Sequence, residues 1–285
     1  MSFPSATELE RAIDRVIEAA LAEDIGSGDV TSAAVIPPGL SFHGVMAARE
    51  AMVVAGLPLV LEVFRRVVPQ AKVTLRAKDG DSVAAGSVLA ELHGPAAGML
   101  TAERTALNLL QHLSGIATLT RRYVQAMAGG KAVLLDTRKT IPGLRQLAKY
   151  ASRMGGARNH RMGLYDGVLI KDNHIAVCGG VKEAVRRAKT AGDLPVEVEC
   201  DRLDQVAEAV AAGADIILLD NMSVPQLRES VALVAGRAKT EASGGVTLET
   251  IAEIAKTGVD FVSVGRLTQS APAVDIGLDW STANE

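Results

Sequence analysis

Leu9, Ile13, Val16, Ile17, Ala20 and Leu21 recur at helical spacing up to Glu23-Asp24, and Ser5 with Glu8 makes a capping-box pattern ahead of them, so the chain is read as opening on an amphipathic helix. Between residues 41 and 94 the pattern shortens to β-type runs at 44–47, 72–75 and 88–92, punctuated by Asp79-Gly80 and Gly86. One helical run, 57–68, lies among them, which predicts a small α+β unit. Residues 98–128 read as a long helical stretch carrying Leu107, Leu109, Leu110 and Leu113, with a break near Ser114-Gly115.

Beyond it the rhythm is regular. Apolar runs at 132–135, 168–170, 196–198, 216–219, 240–242 and 261–264 alternate with helical segments at 181–189, 203–212, 224–234 and 248–256. Residues 213–220 and 258–265 echo each other: a glycine, an Asp two positions on, a buried strand, then a small or acidic residue. Six runs predict an α/β barrel short of the usual eight strands or imperfectly closed, with a doubly wound open sheet as the alternative.

Composition narrows the classes. A chain of 285 residues with 48% apolar and 22% charged positions is neither disordered nor fibrous. A net charge of −3 with no basic tail, and only 3% aromatics, argue against nucleic-acid binding. Cys178 and Cys200 form no CxxC pair, so neither a disulfide framework nor a zinc site is expected. No apolar stretch approaches the ~18 residues of a membrane span, and the N-terminus has no basic segment followed by an apolar one; a cytoplasmic protein is expected, with no membrane partner.

In parallel α/β architectures chemistry gathers at the carboxyl ends of strands. The six runs are followed in turn by Asp136-Thr-Arg-Lys-Thr140, Lys171-Asp-Asn-His174, Glu199, Asp220-Asn221, Ser243-Gly244-Gly245 and Gly265-Arg266. Residues 136–171 hold eight Lys/Arg against two acids, in a chain that is acidic overall, which points to an anionic substrate. Arg145, Lys149 and Arg153, four apart on a predicted helix, read as a solvated face. Arg138, Lys139, Arg161 and Lys171 instead fall at strand ends or in the 159–161 loop, where they can grip carboxylates. Glu199 and Asp220 suit a hydrated Mg²⁺ and ribose hydroxyls, and Ser243, Gly244, Gly245 and Gly265 a phosphate. The 49–53 and 79–89 segments look like a biotinyl or lipoyl hammerhead, but Val53 stands where the carrier lysine belongs, so plain β structure is the better reading.

Together these segments resemble the quinolinate phosphoribosyltransferase family nearly end to end. The carriers are Glu23-Asp24 with Gly28-Asp-Val-Thr31, Thr101-Ala-Glu-Arg-Thr-Ala-Leu-Asn108, Leu113-Ser-Gly-Ile-Ala-Thr118, Asp136-Thr-Arg-Lys-Thr-Ile-Pro-Gly-Leu-Arg145, Asn159-His-Arg161, Leu169-Ile-Lys-Asp-Asn-His174, Leu219-Asp-Asn-Met222 and Glu241-Ala-Ser-Gly-Gly245. The resemblance implies an N-terminal α/β sandwich domain over 1–113, a barrel of fewer than eight strands over 114–266, and a tail, 267–285, packing back on the first domain. It implies transfer of a phosphoribosyl group from phosphoribosyl pyrophosphate to quinolinate with decarboxylation, giving nicotinate mononucleotide for NAD synthesis, with Mg²⁺ as cofactor. Arg138, Lys139, His160, Arg161 and Lys171 would hold quinolinate, joined by Arg104 from the second subunit of a homodimer or higher even-numbered assembly. Lys139, Glu199, Asp220, Ser243, Gly244, Gly245 and Gly265 would serve phosphoribosyl pyrophosphate, with Lys171, Glu199 and Asp220 as the catalytic set. The rival readings are a molybdenum-transport-associated paralogue and a non-catalytic phosphate-binding barrel. One departure is visible: Ala157 follows Gly155-Gly156 where many members have a third glycine, a cost of about 1 kcal/mol if that position needs positive φ.

Overall fold

The structure, a computed structural model, describes residues 6–280, so the Ser5 capping pattern lies outside the described residues. The described residues form two compact units: one holds 6–121, 141–155 and 270–280, and the other holds 122–140 and 156–269.

In the first unit, α1 (Ala6–Ile25) is the opening amphipathic helix, with Ala12 and Ile17 in the core. α2 (Val30–Val35) starts where Asp29 caps it: Ser32 N donates to Oδ1 (2.9 Å) and Ser32 Oγ to Oδ2 (2.6 Å). Thr101 Oγ1 donates to the same carboxylate at 2.9 Å, which gives the Gly28-Asp29 motif a structural duty. The sheet is antiparallel, in the order β12 (Ile276–Trp280), β1 (Ser41–Ala48), β5 (Val88–Pro95), β3 (Lys72–Leu75). β2 (Met52–Val53) pairs with β4 (Ser82–Val83) as a separate ribbon, and both its residues are buried, which removes the hammerhead reading because a carrier site must be exposed.

α3 (Leu57–Val67) buries Leu57, Leu59, Val60, Val63 and Phe64. Its orphan N-terminal donors go to Asp79, which accepts from Gly56 N (2.8 Å), Leu57 N (3.1 Å) and Tyr150 Oη (2.7 Å). Burial outweighs these bonds and pushes the Asp79 carboxyl above its usual range. Tyr150 lies on α5 (Arg145–Gly155), a helix that does not present Arg145, Lys149 and Arg153 as one solvated face: Lys149 is fully buried. Four-residue spacing puts side chains on one stripe, but only packing decides whether that stripe meets water.

The expected break at Ser114-Gly115 is absent, for α4 runs unbroken over Ala96–Ala126. Both residues answer to neighbours instead. Ser114 Oγ accepts from Ala55 N (3.0 Å), and Thr118 Oγ1, one turn on, accepts from Val53 N (2.8 Å), satisfying buried backbone donors. A Cβ on Gly115 would lie 2.1 Å from the Pro272 carbonyl oxygen. Gly115→Ala is therefore expected to destabilise the protein by about 2 kcal/mol, overpacking outweighing the ~1 kcal/mol helix preference of alanine. Urea unfolding monitored by circular dichroism checks this, an unchanged midpoint being the contrary result.

The second unit contains six parallel strands, β6 (Val133–Leu135), β7 (Val168–Ile170), β8 (Val196–Cys200), β9 (Ile216–Asp220), β10 (Lys239–Ser243) and β11 (Phe261–Ser263). Their order is β6-β11-β10-β9-β8-β7, so the first strand pairs with the last. That neighbourhood is the sign of a sheet curling toward closure, and it excludes the doubly wound alternative, whose strand order reverses at an internal switch point. Helices α7 (Val181–Ala191), α8 (Leu203–Ala211) and α9 (Val224–Val234) match the periodic segments, whereas α10 (Ile251–Ala255) is shorter than its pattern. α6 (Asp172–Cys178), directly after β7, and α11 (Arg266–Gln269), after β11, were not legible as helices. β6 and β7 do not pair with each other; Arg158 bridges to β6 instead, through Arg158 N to Leu134 O (2.9 Å) and Asp136 N to Arg158 O (3.2 Å).

Candidate active site

Each strand of the second unit delivers residues to the carboxyl-end mouth, and the 156–167 segment adds more. Its anchor is Asp136, fully buried after β6, which accepts from Asn159 Nδ2 (2.5 Å) and His160 N (2.9 Å). This clamps the Asn159-His160-Arg161 loop against β6. Ala157 has no positive φ: among the described residues only Asn221 (54°) and Ala235 (48°) do outside glycine, so the absent third glycine costs nothing.

The mouth encloses a cavity of about 570 Å³, in the range of small-molecule sites. Arg138, Lys139, His160, Arg161 and Lys171 line one part of it. Glu199, Asp220, Glu241, Ser243, Gly244, Gly245 and Gly265 are among the residues that line the rest. Arg104 is not among the lining residues; it is exposed on α4, in the other unit.

Arg161 is 6% exposed, donates from Nη1 to Gly167 O (3.0 Å), and has no acceptor for Nε among the described residues. Burial, and then the neighbouring Arg138, hold its guanidinium below the ordinary arginine range. A like charge beside a guanidinium disfavours its charged form, and Glu197 and Asp166 are the anions that act against this on Arg161. Lys171 pairs with Glu199, and its backbone N–H donates to His174 Nδ1 (2.9 Å), which fixes the turn from β7 into α6.

Asn221 occupies the left-handed region, its Nδ2 on Asp220 Oδ2 (2.7 Å) and its N–H on Ser243 O (2.8 Å). Gly244 (φ 90°) has to be glycine on two counts, since a Cβ there would also sit 2.2 Å from Asn221 Oδ1. At Gly265 the constraint is passage, because a Cβ would lie 2.9 Å from Lys139 Cδ.

Reading only the residues after each apolar run missed two groups: Glu197 (2% exposed) and Glu241 (1%) lie inside the runs. The two-residue spacing of Glu197 and Glu199 was the available signal: on a strand it puts both on the face opposite Val196, Val198 and Cys200. Burial and the adjacent Glu197 push the Glu241 carboxyl up to about 8.

Fold and site together define an α/β-barrel-like protein with a cation-lined cavity at the carboxyl ends of its parallel strands. The chain matches the Quinolinate phosphoribosyl transferase N-terminal domain over residues 29–114 and the corresponding C-terminal domain over 116–279, and it belongs to that family. A Mycobacterium leprae protein named nicotinate-nucleotide pyrophosphorylase [carboxylating] is 46% identical over 282 residues, covering 96% of this chain and 99% of the relative. A chloroplastic Arabidopsis thaliana protein of the same name is 44% identical, covering 94% and 82%. The solved nicotinate-nucleotide pyrophosphorylase from Francisella tularensis superposes with a TM-score of 0.92 at 41% identity, covering 95% of this chain and 96% of its own.

Because Asp136 satisfies two donors of the loop, Asp136→Ala should cost about 3 kcal/mol, the range for leaving buried donors unmet. Asp136→Asn, which keeps one acceptor oxygen, should cost less. Chemical denaturation of both variants measures the order, and equal midpoints for wild type and Asp136→Ala would contradict the clamp.

Proposed function

We propose that the protein transfers the phosphoribosyl group of phosphoribosyl pyrophosphate to quinolinate with loss of CO₂, giving nicotinate mononucleotide and diphosphate. The observation that carries this reading is Arg161, buried beside Arg138 with its Nε unmet at the wall of a cavity that Lys139 and Lys171 also line. Quinolinate brings two adjacent carboxylates on one ring, the charge and spacing that forked cations hold best. The names of the relatives favour this reaction over a molybdenum-transport paralogue or a non-catalytic barrel.

The cavity divides in two. Arg138, Lys139, Arg161 and Lys171 hold quinolinate, with His160 in the wall between them and the barrel interior. Glu199 and Asp220 face the ribose, where positive charge develops at C1 as diphosphate leaves, and the turn at Ser243, Gly244 and Gly245, next to Gly265, receives the 5′-phosphate. Lys171, paired with Glu199, ties the two zones together. Once ribosylated, the ring nitrogen is a pyridinium whose positive charge stabilises the in-plane carbanion left at C2 as the neighbouring carboxylate departs as CO₂, and a proton from water then completes the C2–H bond, so no further organic cofactor is required. Glu199 and Asp220 end adjacent strands and supply the carboxylate oxygens that Mg²⁺ prefers, so they fit as its holders, through water; bound Mg²⁺ would neutralise charge on the diphosphate.

The protein works as a homodimer or larger even assembly in which Arg104 of one subunit serves its neighbour's cavity; its exposure on α4 supports this. A cytoplasmic setting suits two free thiols, Cys178 and Cys200. Among the described residues no helix is long and apolar enough to cross a membrane.

Turnover of quinolinate and phosphoribosyl pyrophosphate to nicotinate mononucleotide tests the assignment. Nicotinate, lacking one carboxylate, should be used at least about 30-fold less efficiently, the low end of a broken buried charge pair. Comparable kcat/KM for the two acids would falsify the two-carboxylate reading. Shared sites make a second prediction: co-assembled Arg104→Ala and Lys171→Ala subunits, each inactive alone, should regain part of wild-type activity, because one of the two sites then has both residues intact. Heterodimers that form and stay dead place Arg104 outside the site.

A further inference from the structure

At the inner wall of the cavity, which His160 from the 159–161 loop and Glu241 from β10 both line, these two meet Glu197 from β8 inside the barrel, each at least nine-tenths buried. One ligand-type atom from each lies within 4.8 Å of the other two, a spacing a divalent cation could use. The hydrogen bonding points to a proton instead. Arg161 N–H donates to His160 Nδ1 at 2.9 Å, so that nitrogen carries a lone pair and the ring hydrogen sits on Nε2. Nε2 is the atom that faces the carboxylates, 3.0 Å from Glu197 Oε2 and 3.6 Å from Glu241 Oε2. An N–H directed at them is a donor and has no lone pair for a metal.

With the imidazole neutral, two ionised carboxylates in contact would have to share the interior with Arg161 as the cation acting on Glu197. Their hydrogen bonding shows the deficit. Glu197 Oε1 and Glu241 Oε1 have no donor among the described residues, although the two carboxyl groups are hydrogen-bonding neighbours and Ser263 bonds to Glu241. Two carboxylates facing each other offer only acceptors, and a single proton turns that opposition into a hydrogen bond.

We propose that Glu241 is held as a neutral carboxylic acid donating to Glu197, so that one negative charge stands behind His160 and Arg161 and fixes the Arg161 fork toward the cavity. Burial and Glu197 raise the Glu241 carboxyl in the direction this requires. Glu241 and Glu197 are thus positioning residues: Glu197 balances Arg161, and Glu241 balances Glu197 with a proton. The kinetic part of the test rests on the proposed quinolinate reaction, and a spectroscopic part stands apart from it.

Glutamine is the isostere of a protonated glutamate. Glu241→Gln in the full-length enzyme should therefore fold and keep the quinolinate KM and kcat within about threefold of wild type. Glu241→Ala and Glu197→Gln should each raise the quinolinate KM about tenfold or more while the phosphoribosyl pyrophosphate KM stays within about threefold. A Glu241→Gln variant that loses tenfold in kcat/KM for quinolinate, or fails to fold, overturns the proposal, since an isostere of the acid has no charge to lose. Infrared spectra of wild type without substrate should show a carboxylic-acid C=O band that disappears in Glu241→Gln. If the band is missing the neutral acid is wrong whatever the turnover, and if turnover is missing the quinolinate reading is wrong whatever the band. Titration with Zn²⁺ alone closes the metal alternative: one equivalent taken up by wild type and none by His160→Ala would also overturn the proposal.

Discussion

β6 and β7 are the edges of a six-stranded parallel sheet, and neither hydrogen-bonds to the other. An unfilled edge inside a barrel would leave backbone donors and acceptors buried without partners, so the chain must bring something else to that place. It brings the 156–167 segment, joined to β6 through Arg158 and locked by the Asp136 carboxylate. His160 and Arg161 enter the barrel wall by this route, one position after the other, on a loop that no helix or strand periodicity would place there. The incomplete barrel is therefore the condition that puts forked cations into the cavity.

Putting a guanidinium where it is nearly dry has consequences on both sides of the wall. Toward the cavity, burial and the neighbouring Arg138 hold the Arg161 guanidinium below its ordinary range. Toward the interior, Glu197 and Glu241 stand with His160 and need a hydrogen-bond scheme of their own. Across the mouth, Lys171 is tied to Glu199, so the zones of opposite charge are joined by an ion pair. A chain whose net charge is only −3 thus separates its charges sharply within a few strand ends.

The first unit meets the same demand with neutral and capping groups. Ser114 and Thr118 turn hydroxyls from α4 to the backbone donors of Ala55 and Val53, and Asp79 collects the first donors of α3 together with the Tyr150 hydroxyl. These polar side chains sit within an apolar core of helix and sheet residues. Each has a partner that lies far away in sequence, between 22 and 71 positions for those named here.

The six barrel strands, the residues that end them and the family motifs were legible because they depend on local periodicity and on residue order, both of which one sequence contains. Lys149, Gly115 and the Glu197–Glu241 pair were not. Spacing gave Lys149 a stripe but not what covers it, and the glycine signal at 115 could not tell a helix break from the close approach of the Pro272 carbonyl. Glu197 and Glu241 sit within runs that read as strand, and their meaning lies in each other and in His160, brought together from three separate segments. The sequence by itself determined the six barrel strands, most of the helices between them and the residues that stand at the strand ends, but not the short helices α6 and α11. Tertiary structure alone decided which polar groups lose water and which partners replace it, because desolvation and hydrogen bonding between distant segments are set by packing in three dimensions and leave no periodic trace along the chain.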